Sequence, residues 1–185
     1  MKLNRAVLFV SLSAVLAAAP AVFAQMPPPP KPGPEHQLFK QDEGTWDATV
    51  ESYMAPGAPP MTSKAVETNT VACGGLCMLS NFKGEFGGAP FDGHGTTTFD
   101  ATKKKYVGSW TDSMSTGLMI GESTYDSAKK TLTGYMEGPD ESGKVTKMKS
   151  VVEYKADGSR VFTMYMNAPD GKEVAAMKIT YTKRK

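Results

Sequence analysis

The sequence predicts an all-β chain: an antiparallel up-and-down barrel of about ten strands, preceded by a short N-terminal helix. Three observations carry that expectation. From residue 44 onward, apolar or alternating runs of six to ten residues are separated at regular intervals by Gly, Pro, Asp and Asn clusters. Several of these runs alternate with a period of two, so each strand offers one face to a core and the other to water. No segment after residue 44 keeps a helical period. Ten half-buried strands must hide their edges, and closing the sheet on itself removes them.

The chain opens MKLNRAVLFVSLSAVLAAAPAVFAQ. Lys2 and Arg5 form a basic start, residues 6–19 are an apolar run broken only by serines, and Val22 and Ala24 are small residues ahead of Gln25. That is the layout of a secretory signal peptide spanning residues 1–24, too short for a transmembrane span of about 20 apolar residues. The expected destination is the periplasm or the outside of the cell, with no stable membrane anchor after cleavage. The formal charge of +2 belongs to that leader, whose only charged residues are Lys2 and Arg5. The remainder is balanced and carries no basic stripe, which excludes an electrostatic footprint for nucleic acid. Residues 25–34, QMPPPPKPGP, read as an extended proline-rich linker. Residues 35–185 then form one domain, long enough to bury a core.

Residues 34–44, PEHQLFKQDEG, hold the short helix, with Pro34 near its start and Gly44 past its end. The strands follow at 45–54, 63–73, 76–85, 92–99, 105–112, 117–125, 131–136, 144–154, 160–166 and 174–183. Their separators carry turn chemistry: GG at 74–75, DATKK at 100–104, DSAKK at 126–130, PDESGK at 139–144, ADGS at 156–159 and PDGKE at 169–173. Gly supplies positive φ there, and Asp or Pro pre-forms the turn. FDATKKKYVGSW (99–110) is echoed by YDSAKKTLTGYM (125–136) and more loosely by YKADGSRVFTMY (154–165). The repeat is one hairpin written several times, too irregular for the fixed blades of a propeller.

Gly44-Thr45-Trp46 follows the helical segment and opens the first strand. It resembles the Gly-x-Trp signature of lipocalins and related calycin barrels. The resemblance implies that the helix closes one end of the barrel and that Trp46 packs there beneath a basic side chain from near the last strand, Lys183 or Arg184. PGPEHQLF, GTWD, PGAPPMTSK, FKGEFGGAPFDGHGTTTFD, KKKYVGSWTDSMSTG, STYD, PDGKE and ITYT occur in order along nearly the whole chain. That string resembles a family of bacterial proteins catalogued only as a domain of unknown function and assigned to the calycin-like barrels. It implies the barrel and an interior cavity, and it supplies no catalytic residues or cofactor.

The only two cysteines stand in CGGLC, residues 73–77. In a straight strand Cys73 and Cys77 would lie about 13 Å apart, whereas a disulfide needs Cα atoms within about 7 Å. A bond therefore requires the chain to reverse at Gly74-Gly75. A three-residue loop sets the cysteines opposite each other; a two-residue loop turns them to opposite faces. An oxidising compartment favours the bond. The alternative is a copper(I) or thiol-redox site built from Cys73, Cys77 and Met78, since thiolate and thioether select that ion. Redox and haem-attachment motifs need two intervening residues, and a closed zinc site needs four ligands.

For chemistry elsewhere, the hairpin WTDSMSTGLM (110–119) crowds polar residues between two apolar strands. Trp110, Asp112, Met114, Met119 and Glu122 are the expected contacts of a small, largely apolar ligand at the barrel mouth: an aromatic wall with one orienting carboxylate. The remaining methionines read as deformable core filler. His94, flanked by glycines, offers a metal or haem ligand but reads first as a surface histidine in a bulged strand, and a triad of His94, Asp112 and Ser113 or Ser115 can be drawn without any spacing that demands it. No Gly-x-Ser-x-Gly elbow, phosphate loop or His-Glu-x-x-His occurs. The expected role is non-catalytic binding, against a third possibility of an interaction module with a filled core.

Overall fold

A computed structural model describes residues 28–55, 57–139, 143–168 and 170–185. The leader expected at 1–24 and the start of the linker lie outside the described residues. A 3-10 turn, Pro34–His36, runs into α1 (Gln37–Asp42). The strands are β1 (Gly44–Ser52), β2 (Met61–Ala72), β3 (Cys77–Phe86), β4 (Ala89–Asp100), β5 (Lys105–Asp112), β6 (Met119–Asp126), β7 (Thr131–Pro139), β8 (Val145–Tyr154), β9 (Arg160–Asn167) and β10 (Glu173–Lys183). Each pairs antiparallel with its neighbours in sequence, and β1 pairs with β10 to close the barrel. Every expected strand is present, with no end moved by more than three residues and the fifth strand unchanged at 105–112. Pro34, expected near the start of the helical segment, opens the 3-10 turn, where its fixed φ fits.

The register assigns each side chain to the lumen or to the outer wall. Trp46, Ala48 and Val50 point inward on β1, and each cross-strand partner of an inward residue also points inward. Following the pairs around the ring, Glu67 faces Phe82, Phe82 faces Gly93, Gly93 faces Asp112, Tyr106 faces Ser123, and Tyr154 faces Arg160. One bulge interrupts the ladder, between Ala175 and Met177 on β10.

Because the chain meanders, its loops alternate between the two ends of the barrel. At one end α1 enters as a plug. A helix this short has no stability of its own; Leu38 and Phe39 hold it by packing on Met78, Tyr106 and Tyr154. Hydrogen bonds complete the closure. The Trp46 indole N–H donates to the Asp42 carbonyl (2.9 Å), and the Tyr106 hydroxyl donates to the Glu35 carbonyl (2.8 Å). The other end is rimmed by the β1–β2, β3–β4, β5–β6, β7–β8 and β9–β10 connections. Met54, Met114, Leu118, Val145 and Met166 stand exposed there.

The Cys73–Cys77 disulfide lies at the helix end, with Cα atoms 5.5 Å apart. Neither expected loop length is the one observed. Ala72 pairs with Cys77, so the loop holds four residues and Cys73 is its first. Cys73 reaches its partner by taking a left-handed backbone conformation, φ 54°, followed by Gly74 and Gly75, also at positive φ. Two glycines tolerate those angles, while the cysteine bears the steric cost of its Cβ.

Candidate functional site

The barrel interior is not filled. A cavity of about 490 Å³ runs from Leu38, Phe39 and Asp42 at the plugged end to Met114 and Asp112 at the rim. It is about sixteen times the roughly 30 Å³ that one water occupies in the liquid and falls within the range of small-molecule sites. Its origin is legible in the inward register. Small residues, among them Ser80, Gly95, Gly108, Gly121, Ser123 and Ser150, take up inward positions and leave the lumen unfilled. A second concavity, between the rim ends of β2 and β3, is an open groove lined by Lys64, Lys83 and Glu85 and encloses nothing.

Trp110, Asp112, Met114 and Met119 all line the interior cavity. Trp110 faces Met119 across β5–β6 and Gly95 across β4–β5. Its ring lies directly over Gly93 and against Gly95, where any Cβ on Gly93 would collide with the indole. The indole N–H donates to Asp112 Oδ2 at 2.8 Å, and the Met114 amide donates to Asp112 Oδ1 at 2.9 Å. One carboxylate thus fixes both the ring and the start of the rim loop. Phe82 meets Trp110 and Phe91 edge-on, at centroid distances of 6.4 and 5.8 Å.

Glu122 is also among the residues that line the cavity, but its side chain is turned the other way. It alternates with inward Gly121 and Ser123, and its carboxylate engages Lys103 and Lys105 on the outer surface. Hydrogen bonds from those two ammonium groups hold its carboxyl down at about 2. Alternation explains the difference: Glu122 lies three residues, an odd number, from Met119 on the same strand, so the two side chains point to opposite faces wherever that strand begins.

The other chemical candidates disperse. His94 faces outward, its Nδ1 2.8 Å from Asn81 Oδ1 and its Nε2 3.6 Å from Asp92, while Asp112 points inward. The drawn triad therefore does not assemble. Cys73 and Cys77 spend their sulfurs on each other, and Met78, adjacent to Cys77 in an alternating strand, points into the barrel. The three do not converge on a metal. No cluster of three or more His, Cys, Asp or Glu side chains suited to a metal occurs among the described residues.

The plugged end holds a polar cluster that the sequence reading missed. Arg160, the first residue of β9, is buried with Glu67 and Asp42. Its guanidinium bonds Glu67 and lies 3.6 Å from Asp42 Oδ2. It is stacked 4.7 Å from the Trp46 ring centroid and 4.3 Å from that of Tyr181. Tyr154 donates to Asp42 Oδ2 at 2.9 Å, and Asn69 donates to Glu67 at 2.6 Å. Burial pulls the Arg160 guanidinium down, but the two carboxylates outweigh it and the net shift is upward. Burial also pushes Asp42 up, against the pull of Arg160. The basic partner expected over Trp46 is present in part: Lys183 Nζ is 5.2 Å from the ring, while Arg184 turns outward to Asp47. In the sequence Arg160 is the first residue of the strand expected at 160–166, directly after the ADGS turn, and a lone arginine there belongs to no motif. Its inward parity with Phe162 and Met164 was the available signal.

Comparison with known proteins places this geometry. No curated protein sequence matches. The crystal structure of Rv2717c from M. tuberculosis superposes with a TM-score of 0.60 at 11% identity, over 83% of this chain and 99% of that one. At that identity the likeness concerns the fold. A redesigned β-barrel aligns at 13% identity with a TM-score of 0.42, over 80% of this chain and 95% of that one. The sequence profile of one family matches residues 31–183, the helix plug and all ten strands. The chain belongs to the protein family of unknown function DUF1579.

Proposed function

We propose that this protein binds one small, largely apolar molecule inside the barrel. The observation that carries the reading is the cavity of about 490 Å³, walled by aromatic and methionine side chains, with Asp112 as the polar group at its mouth. Binding sites of this kind are concave, mostly apolar and furnished with a few placed polar groups. The exposed apolar residues at the rim support entry from that end. The signal-like N-terminus and the Cys73–Cys77 bond support action outside the cytoplasm.

Native mass spectrometry of protein purified from its own cells tests the reading. A retained mass of a few hundred daltons, lost on unfolding, is the expected result. A bare chain mass, together with no uptake of decanol or a naphthalene probe, overturns it.

A further inference from the structure

The cavity has two unlike walls. On β3–β5 it is aromatic: Phe82, Phe86, Phe91 and Trp110. On β6–β10 it is rich in methionine: Met119, Met136, Met148, Met164 and Met177 line it with Phe162 among them and Tyr154 and Tyr181 at the plugged end. Cross-strand pairing sets Met136 opposite Met148 and Met164 opposite Met177, two thioether pairs separated on β8–β9 by Ser150. In the ten-strand ring β9 stands across from β4, so this wall faces the aromatic one. An alkyl chain would gain only buried area from either wall. A flat ring gains edge and face contacts with aromatics on one side and sulfur–aromatic contacts on the other.

Charge narrows the choice further. Arg160 is the single basic side chain among the described lining residues. It lies at the plugged end, already committed to Glu67 and Asp42. Towards the open end the lining carries the acidic residues Asp112 and Glu85 and no cation. Each Asp112 oxygen accepts one protein hydrogen bond, whereas a carboxylate has about four acceptor positions. An anionic ligand would meet a like charge there and find no partner. A cation would find a carboxylate, held at the N–H edge of an indole, with acceptor positions still open for a charge-assisted hydrogen bond.

We infer that the ligand is an aromatic molecule bearing a protonated nitrogen, its ring held between the aromatic and thioether walls and its cation at Asp112. The inference rests on the binding role proposed above and specifies its ligand class.

Four probes test it against the full chain by calorimetry: 1-naphthylmethylamine, 1-naphthalenemethanol, 1-naphthoate and decanol. The amine is expected to bind at least about tenfold more tightly than naphthoate, and increasing salt should weaken the amine and not the alcohol. In Asp112→Asn the amine should fall to the affinity of the alcohol, with the alcohol unchanged; Asp112→Glu should keep the amine ahead. Naphthoate binding as tightly as the amine, or an amine-to-alcohol ratio unchanged in Asp112→Asn, overturns the inference. Should Asp112→Asn lose every probe, the wild-type amine-to-naphthoate ratio and its salt dependence decide. Decanol binding without the naphthyl compounds refutes the aromatic cation while leaving a binding barrel; no uptake of any probe removes both.

Discussion

The Arg160 guanidinium carbon lies 4.7 Å from the centroid of the Trp46 ring, at the end of the barrel that α1 closes. The contact joins the first strand to the ninth through the lumen, and it places a cation where Glu67 and Asp42 would otherwise be two buried, uncompensated carboxylates.

Replacing Arg160 by Met should therefore destabilise the barrel by about 3–5 kcal/mol, the cost of stranding a buried charge partner. Urea unfolding followed by tryptophan fluorescence measures it. The double variant Arg160→Met/Glu67→Gln should recover part of the loss, because the stranded carboxylate is then neutral. A single variant within 1 kcal/mol of wild type would show the cluster to be hydrated and weak.

Gly93→Ala tests the bed on which Trp110 lies. The added methyl would occupy the space of the indole, so the ring must leave it and break its bond to Asp112. A loss of about 1–3 kcal/mol is expected from overpacking, with a shift in tryptophan emission. Gly87→Ala serves as the comparison: a Cβ there meets nothing, and only its positive φ is strained. An unshifted emission in Gly93→Ala would contradict the packing.

The pH dependence of stability should carry two opposite signatures. Burial raises the carboxyl of Asp42 above its ordinary 3.8, so its protonated form suits the fold. That contribution is full below 3.8 and is lost as pH rises through the raised folded value. Glu122 behaves conversely: bonds from Lys103 and Lys105 lower it to about 2, so its contribution is present above 4.5 and lost as pH falls towards 2. Asp42→Asn should remove the first slope and Glu122→Gln the second, read from urea midpoints across pH 2–8. Unchanged slopes in both variants would refute the assignment.

Cys73→Ala/Cys77→Ala should lower stability by about 2 kcal/mol, the small entropic effect of so short a loop, without opening the barrel. Circular dichroism and unfolding midpoints check this. Loss of the β-sheet signal would mean that the bond nucleates the hairpin.

The strands and their order were legible because alternation and turn residues are local properties of the chain. Trp110 and Asp112 could be placed on one face from spacing alone. Met119 joins them only through the β5–β6 register, and Glu122, three residues from Met119, takes the opposite face by alternation. The inward glycines and serines were visible as letters, yet their meaning as empty space appears only once the register aligns them on neighbouring strands. Likewise CGGLC showed a turn and two sulfurs, but not that Cys73 would enter the loop at φ 54° to reach its partner.

The sequence by itself determined a meander of ten half-buried strands, a helix ahead of Trp46, and a reversal at Gly74-Gly75. Tertiary structure decided which end Arg160 guards, that the lumen is hollow, and that aromatic and thioether walls face each other across it. Alternation is written over neighbouring residues, whereas closure pairs the first strand with the last and sums many small registers into one interior. No local pattern encodes that sum.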